Sequence, residues 1–157
     1  MRVDYQKSIP ALQRAFSADL QYMLTQNSVT NKTEYNEETG GRITQPENVN
    51  GNWSARAGFN FNTAFKGDQR FRMSTSTSGS MTNAVGYVYQ SKAQTTIRNK
   101  TKGMHLDESA RFTFHDKNFE ANVKGSIRYN HSRSTSSTAS DLDTYVFSYG
   151  GEAVWKL

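Results

Sequence analysis

The sequence predicts an all-β protein: about six long antiparallel up-and-down strands forming an incomplete arc of a transmembrane β-barrel. Three observations predict it. Apolar and polar residues alternate with the two-residue period of a strand that has two different faces. The apolar face keeps the same ten-residue length on successive strands. Short turns alternate with longer polar loops, as they do when the two ends of a sheet meet different surroundings. Composition agrees. Hydrophobic residues make up 34% of 157 residues, below the roughly 45–50% of a soluble domain on a count that includes Gly. The 17 Ser and 16 Thr are about a fifth of the chain. Too few aliphatic side chains are present to fill a dry core, yet aromatics reach 12%, which argues against disorder.

The first 11 residues are atypical and are set apart. The first strand carries Phe16, Ala18, Leu20, Tyr22 and Leu24 on one face. The second carries Trp53, Ala55, Ala57, Phe59, Phe61, Thr63 and Phe65, and ends at a polar turn, Lys66–Gln69. The third resumes at Phe71, Met73 and Thr75 and continues to Met81; it can run from Arg70 to Tyr89 without a turn signal. The fourth presents Met104, Leu106, Ala110, Phe112 and Phe114, with Glu108 as its one defect. A tight turn at His115–Asn118 leads to the fifth, with Phe119, Ala121, Val123, Gly125, Ile127 and Tyr129. The sixth carries Tyr145, Phe147, Tyr149, Gly151, Ala153, Trp155 and Leu157. Longer loops are expected around Asn36–Gly41 and Gln90–Gln94, and across Ser132–Asp141.

Length separates a membrane sheet from a soluble one. Soluble strands average about 5–6 residues. Ten residues at about 3.3 Å each, tilted by about 40°, span about 25 Å, the height of the apolar band of a membrane barrel. The steps Phe65 to Ala55, Phe71 to Met81, Phe114 to Met104 and Phe119 to Tyr129 each fit it. Aromatics gather at the ends of the band, as girdles do at membrane interfaces. Phe65, Phe71, Phe114, Phe119 and Trp155 mark one interface; Trp53, Tyr129 and Tyr145 mark the other. Beyond Met104 the same side of the fourth strand carries Arg98, Lys100 and Lys102. Two readings stand for them: contact with the anionic headgroup layer of outer-membrane lipid or lipopolysaccharide, since guanidinium and ammonium groups bind phosphate by charge-assisted hydrogen bonds, or a solvated polar rim that keeps an exposed strand soluble. The opposite face, rich in Ser, Asn, Thr, Lys and Arg, suits a watery or protein-filled lumen.

Other chemistries find little support. There is no cysteine, hence no disulfide framework, thiolate site or cysteine nucleophile. No stretch approaches a membrane helix, and the start, Met1–Lys7, has no apolar h-region, so no signal peptide is expected. The net charge of +5 is spread along the chain without a basic cluster interleaved with aromatics, so nucleic acid is not an expected partner. His105, His115 and His131 lie on separate segments without ligand spacing. Asp107 and Glu108 point to opposite faces. Glu37, Glu38, Asp141 and Asp143 lack the spacing of a calcium loop. No nucleophile elbow or phosphate loop occurs. The expectation is no enzyme, no cofactor and no metal.

Six strands do not close a membrane barrel, for which eight is the smallest number in one chain. The chain reads as a piece of a larger barrel, or as one protomer of an oligomeric one. The alternative is a secreted or surface-attached β-structural, adhesin-like module with no transport role; it explains the alternation but not the uniform band.

The run Thr25–Thr33, then Glu38-Thr39-Gly40, then Gln45-Pro46-Glu47-Asn48-Val49-Asn50-Gly51-Asn52-Trp53 resembles the barrel domain of TonB-dependent-receptor-like outer-membrane proteins of the Bacteroidetes type. Leu142–Gly150 is similar to the same family, and the resemblance covers roughly Ala18 to Leu157. It implies a Gram-negative outer-membrane location and a parent protein with a plug and a barrel of about 22 strands that takes up a bulky nutrient. It also implies partners reached only through that parent: the remaining strands and plug, the TonB complex and a surface lipoprotein. The family brings no catalytic residues. The chain itself reads as a single barrel segment, 1–157, without plug or signal peptide.

Overall fold

The computed structural model describes residues 1–65, 68–136 and 141–155, with the backbone alone at 68 and 69. Nine strands are present among them: β1 (Arg2–Ile9), β2 (Arg14–Thr25), β3 (Ser28–Tyr35), β4 (Arg42–Val49), β5 (Asn52–Phe65), β6 (Asp68–Gln90), β7 (Thr95–His115), β8 (Phe119–Ser134) and β9 (Leu142–Trp155). Seven form one antiparallel sheet in the order β1-β2-β5-β6-β7-β8-β9, which is not closed. β3 and β4 pair only with each other. The all-β, antiparallel, long-stranded expectation holds, and β6 spans 23 residues, Asp68 to Gln90.

Three strands exceed the six expected. The stretch set apart at 1–11 forms β1 and a 3-10 turn at Pro10–Leu12, and β1 pairs with β2 along its whole length. Its period was hidden because Lys7 interrupts the apolar positions Val3, Tyr5 and Ile9; Lys7 lies opposite Phe16, and Tyr5 packs on Phe16 at 5.4 Å between ring centroids. β3 and β4 are mostly polar without an apolar period and carry Pro46, which an edge strand tolerates. They keep the pairing offset of β2 and β5, Thr25↔Asn52 becoming Ser28↔Val49, so all four strands make one long hairpin broken at 26–27 and 50–51.

The break has a visible cause. Asn27 and Gly51 take left-handed φ values of 51° and 108°, and the Asn27 N–H donates to Asn50 Oδ1 at 2.6 Å. A side chain at Gly51 would be strained at that φ and would press on Val85. Past the break, the β3–β4 hairpin lies across the far end of β6 and β7, on the side that carries Val85, Tyr87 and Tyr89. Arg42 stacks over the Tyr89 ring at 4.7 Å, and Tyr87 Oη donates to Glu47 at 2.7 Å.

The connections also depart from expectation at one place. A longer loop was expected around Gln90–Gln94, but β6 and β7 pair up to Gln90↔Thr95, leaving a four-residue turn closed by Ala93 N–H to Gln90 O at 3.2 Å. Strand, not loop, supplies the reach at that end. The six-residue turn at Asn36–Gly41 is held by Asn36 Oδ1, which accepts the Glu38 and Thr39 N–H groups, and by Gly40 at φ 67°. The turn expected at Lys66–Gln69 is strand again from Asp68 onward; its residues 66–67, residues 137–140 of the loop expected at 132–141, and the strand end Lys156–Leu157 lie outside the described residues.

The sheet has almost no interior. Among the described residues Val49, Ala64 and Val85 are the buried hydrophobic ones. The accessible surface is 11491 Å², against roughly 7,900 Å² expected for a compact monomer of this mass. An apolar side chain gains little from such an arrangement unless something outside the sheet covers it.

Candidate functional site

The candidate site is the apolar face itself. Cross-strand register brings the apolar positions of all seven strands onto one side. One row reads Val3, Leu20, Ala57, Gly79, Leu106, Tyr129, Tyr145 across the sheet. The next reads Tyr5, Ala18, Phe59, Thr77, Glu108, Ile127, Phe147. These side chains are largely bare: Val123 is 61% exposed, Phe147 68% and Tyr149 93%. Large contiguous apolar surface of this kind marks a binding or membrane surface. Glu108 is the sole acid of β7 on this side, and it accepts a hydrogen bond from Thr77 directly opposite.

At the short-turn end the register assembles four of the expected aromatics into one chain of rings. Phe71 and Phe114 lie 4.8 Å apart between centroids, Phe114 and Phe119 6.1 Å, and Phe119 and Trp155 5.7 Å. Phe65 lies at the same end but outside this chain. The β5–β6 register jumps from Ala64↔Arg72 to Phe65↔Asp68, so Phe65 is not opposite Phe71. At the other end Tyr129 and Tyr145 pair at 4.8 Å, and Trp53 stacks on Tyr22 at 6.3 Å. Tyr22 was visible in the alternation of its strand but was not singled out; its position opposite Ala55 depends on the pairing of β2 with β5.

The three cations do not act as one group. Arg98 Nη2 donates to the Asn50 carbonyl at 2.9 Å, held against the break in the long hairpin. Lys100 and Lys102 line a groove of about 760 Å³, floored by Trp53, Met81 and Met104 and rimmed by Arg133. Arg133 lies directly opposite Lys102 and reaches Asp141 at 3.7 Å. Sequence reading missed Arg133 because it falls in a Ser/Thr-rich run taken for loop, whereas β8 continues to Ser134. The groove thus has an apolar floor and a cationic rim, a combination suited to an amphiphile with an anionic head.

Beyond this rim the β3–β4 hairpin is fixed by charge. Lys32 Nζ lies 2.7 Å from Glu34 and 3.3 Å from Glu47. The Tyr87 hydroxyl, and then Lys32, hold the Glu47 carboxyl below the ordinary range despite partial desolvation, and the same hydroxyl-to-carboxylate bond raises Tyr87.

The opposite face is mainly polar, with Met23, Val146 and Val154 among its few apolar residues. Asp107 accepts from Arg128 Nε at 2.7 Å and contacts His105. A single row carries Ser17, Asn60, Ser76, Ser109, Ser126 and Ser148. Each of the three histidines has a carboxylate partner, Asp107, Glu120 and Asp143 respectively, and no metal-binding cluster is present among the described residues. Comparison of the chain with protein-family models, curated proteins and solved structures returns no match.

Proposed function

We propose that this chain is a section of the wall of an outer-membrane β-barrel, of the TonB-dependent-receptor type, in a protein that takes up a bulky nutrient. The observation that carries the barrel reading is the exposed apolar face shared by seven strands, about ten residues deep on β5 to β9 and bounded by aromatic side chains at both ends. Its slope supports the reading. From Trp53 on β5 to Tyr129 on β8 the upper aromatic line falls four residues over three strands. That is about 13 Å along the strands for about 14 Å across them, a tilt of about 40°, typical of membrane barrels. The transporter type rests on the sequence resemblance. Among the described residues no further strand lies beyond β1 or β9; unpaired strand edges are costly in lipid, so further strands of the parent barrel pair with both. Lys100 and Lys102, with Arg133, then sit where outer-leaflet lipopolysaccharide carries its phosphates, while Arg98 serves the hairpin. No catalysis is assigned.

Membrane barrels place short turns on the periplasmic side and long extensions outside. Single cysteines at Lys117 and at Ser91, in the parent protein on intact cells, test the reading. A membrane-impermeant thiol reagent should label Ser91→Cys and leave Lys117→Cys untouched until the outer membrane is opened. Equal labelling of both on intact cells would instead fit a module displayed on the surface.

A further inference from the structure

We infer that the polar face carries an oxyanion-binding site at Arg111 and Lys124, taking the phosphate or carboxylate group of its ligand. The two cations are directly opposite one another on β7 and β8. Like charges in that position repel at a Cβ separation of about 4.5–5.5 Å. On the same face Arg128 is matched by Asp107 at 2.7 Å. Neither Arg111 nor Lys124 has an ion-pair partner among the described residues. The nearest acid on the neighbouring strand, Glu152, accepts from Asn122 Nδ2 at 3.4 Å. Arg72, on β6 opposite Thr113, adds a third positive charge one row away.

The surroundings complete a binding site. Arg111 and Lys124 line a groove of about 370 Å³ together with Ser76, Ser109, Ser126 and Ser148, which occupy one register row across four strands; the Ser109 hydroxyl donates to the Ser76 carbonyl at 3.5 Å. Gly150 lies opposite Lys124, and a side chain there would touch the lysine stem at 3.4 Å, so glycine leaves the stem room to lie along the sheet. A guanidinium fork, an ammonium and a row of neutral hydroxyl donors match a tetrahedral or planar oxyanion, and an anion between the two cations removes their repulsion. The site stands on the face away from the apolar band, so it does not depend on whether that band meets lipid.

The test is protection of Lys124 from a lysine-acylating reagent, read by mass spectrometry on the full chain in non-ionic detergent, with Lys92, exposed in the turn between β6 and β7, as internal reference. Inorganic phosphate and a short Asp/Glu peptide are titrated separately at low salt. At saturation Lys124 should be acylated roughly fivefold more slowly while Lys92 is unchanged. Arg111→Gln should remove most of that protection and Arg111→Lys should retain it. Protection by phosphate alone identifies a free phosphate-bearing solute, and protection by the peptide alone a polypeptide carboxylate; either supports the site. No protection by either probe, or equal protection of Lys92, would overturn it.

Discussion

Val123→Arg should destabilise the parent barrel in lipid by roughly 2–4 kcal/mol, while Asn122→Arg, one residue away, should be nearly neutral. Val123 is four residues above Phe119 and six below Tyr129, the aromatic ends of its strand's apolar face, and is 61% exposed. On the barrel reading its side chain meets hydrocarbon near mid-membrane, where a guanidinium has no partner. Asn122 points to the polar face beside Glu152, which an arginine there would reach. Denaturant titration of the two variants refolded into vesicles reads the difference. A soluble module would tolerate both alike, because water solvates an exposed Arg on either face.

Glu108→Leu should do the opposite and stabilise the folded protein in lipid, by about 1–2 kcal/mol, since acids on the lipid face cost less than bases but still cost. Glu108 lies six residues above Phe114 and four below Met104, close to the middle of its strand's apolar face. Thr77 donates a hydrogen bond to it from the facing position on β6. Thr77→Val should therefore destabilise the protein with Glu108 in place and be nearly neutral with Leu at 108, a coupling that a double-mutant cycle in vesicles measures. If leucine at 108 lowers stability in lipid, the face is not lipid-exposed at that level.

What could be read from the sequence was whatever depends on period. The two-residue alternation assigned the apolar face of β2, β5, β6, β7, β8 and β9, and the register then set Phe71, Phe114, Phe119 and Trp155 side by side. Segments without an apolar period were invisible. β3 and β4 are mostly polar without an apolar period and are held by their own ladder and by contacts with β6 and β7. No local pattern announces such a docking. For the same reason Arg98 was grouped with Lys100 and Lys102: all three share a side of β7, but the fold-back of the hairpin brings the Asn50 carbonyl to Arg98 alone. The opposition of Lys102 to Arg133 and of Arg111 to Lys124 is a property of strand register, which a single sequence does not specify between distant strands.

Depth-resolved fluorescence quenching tests the lipid contact of the apolar face most directly. Trp53 and Trp155 are the chain's two tryptophans and lie at opposite ends of that face. In vesicles containing brominated lipids, both should be quenched best by bromine close to the headgroup. In a variant with both replaced by Phe, Val123→Trp should be quenched best by bromine deep in the acyl chain, and Asn122→Trp by neither. Quenching at none of these positions, with the parent protein remaining in the aqueous phase, would contradict the membrane-barrel account.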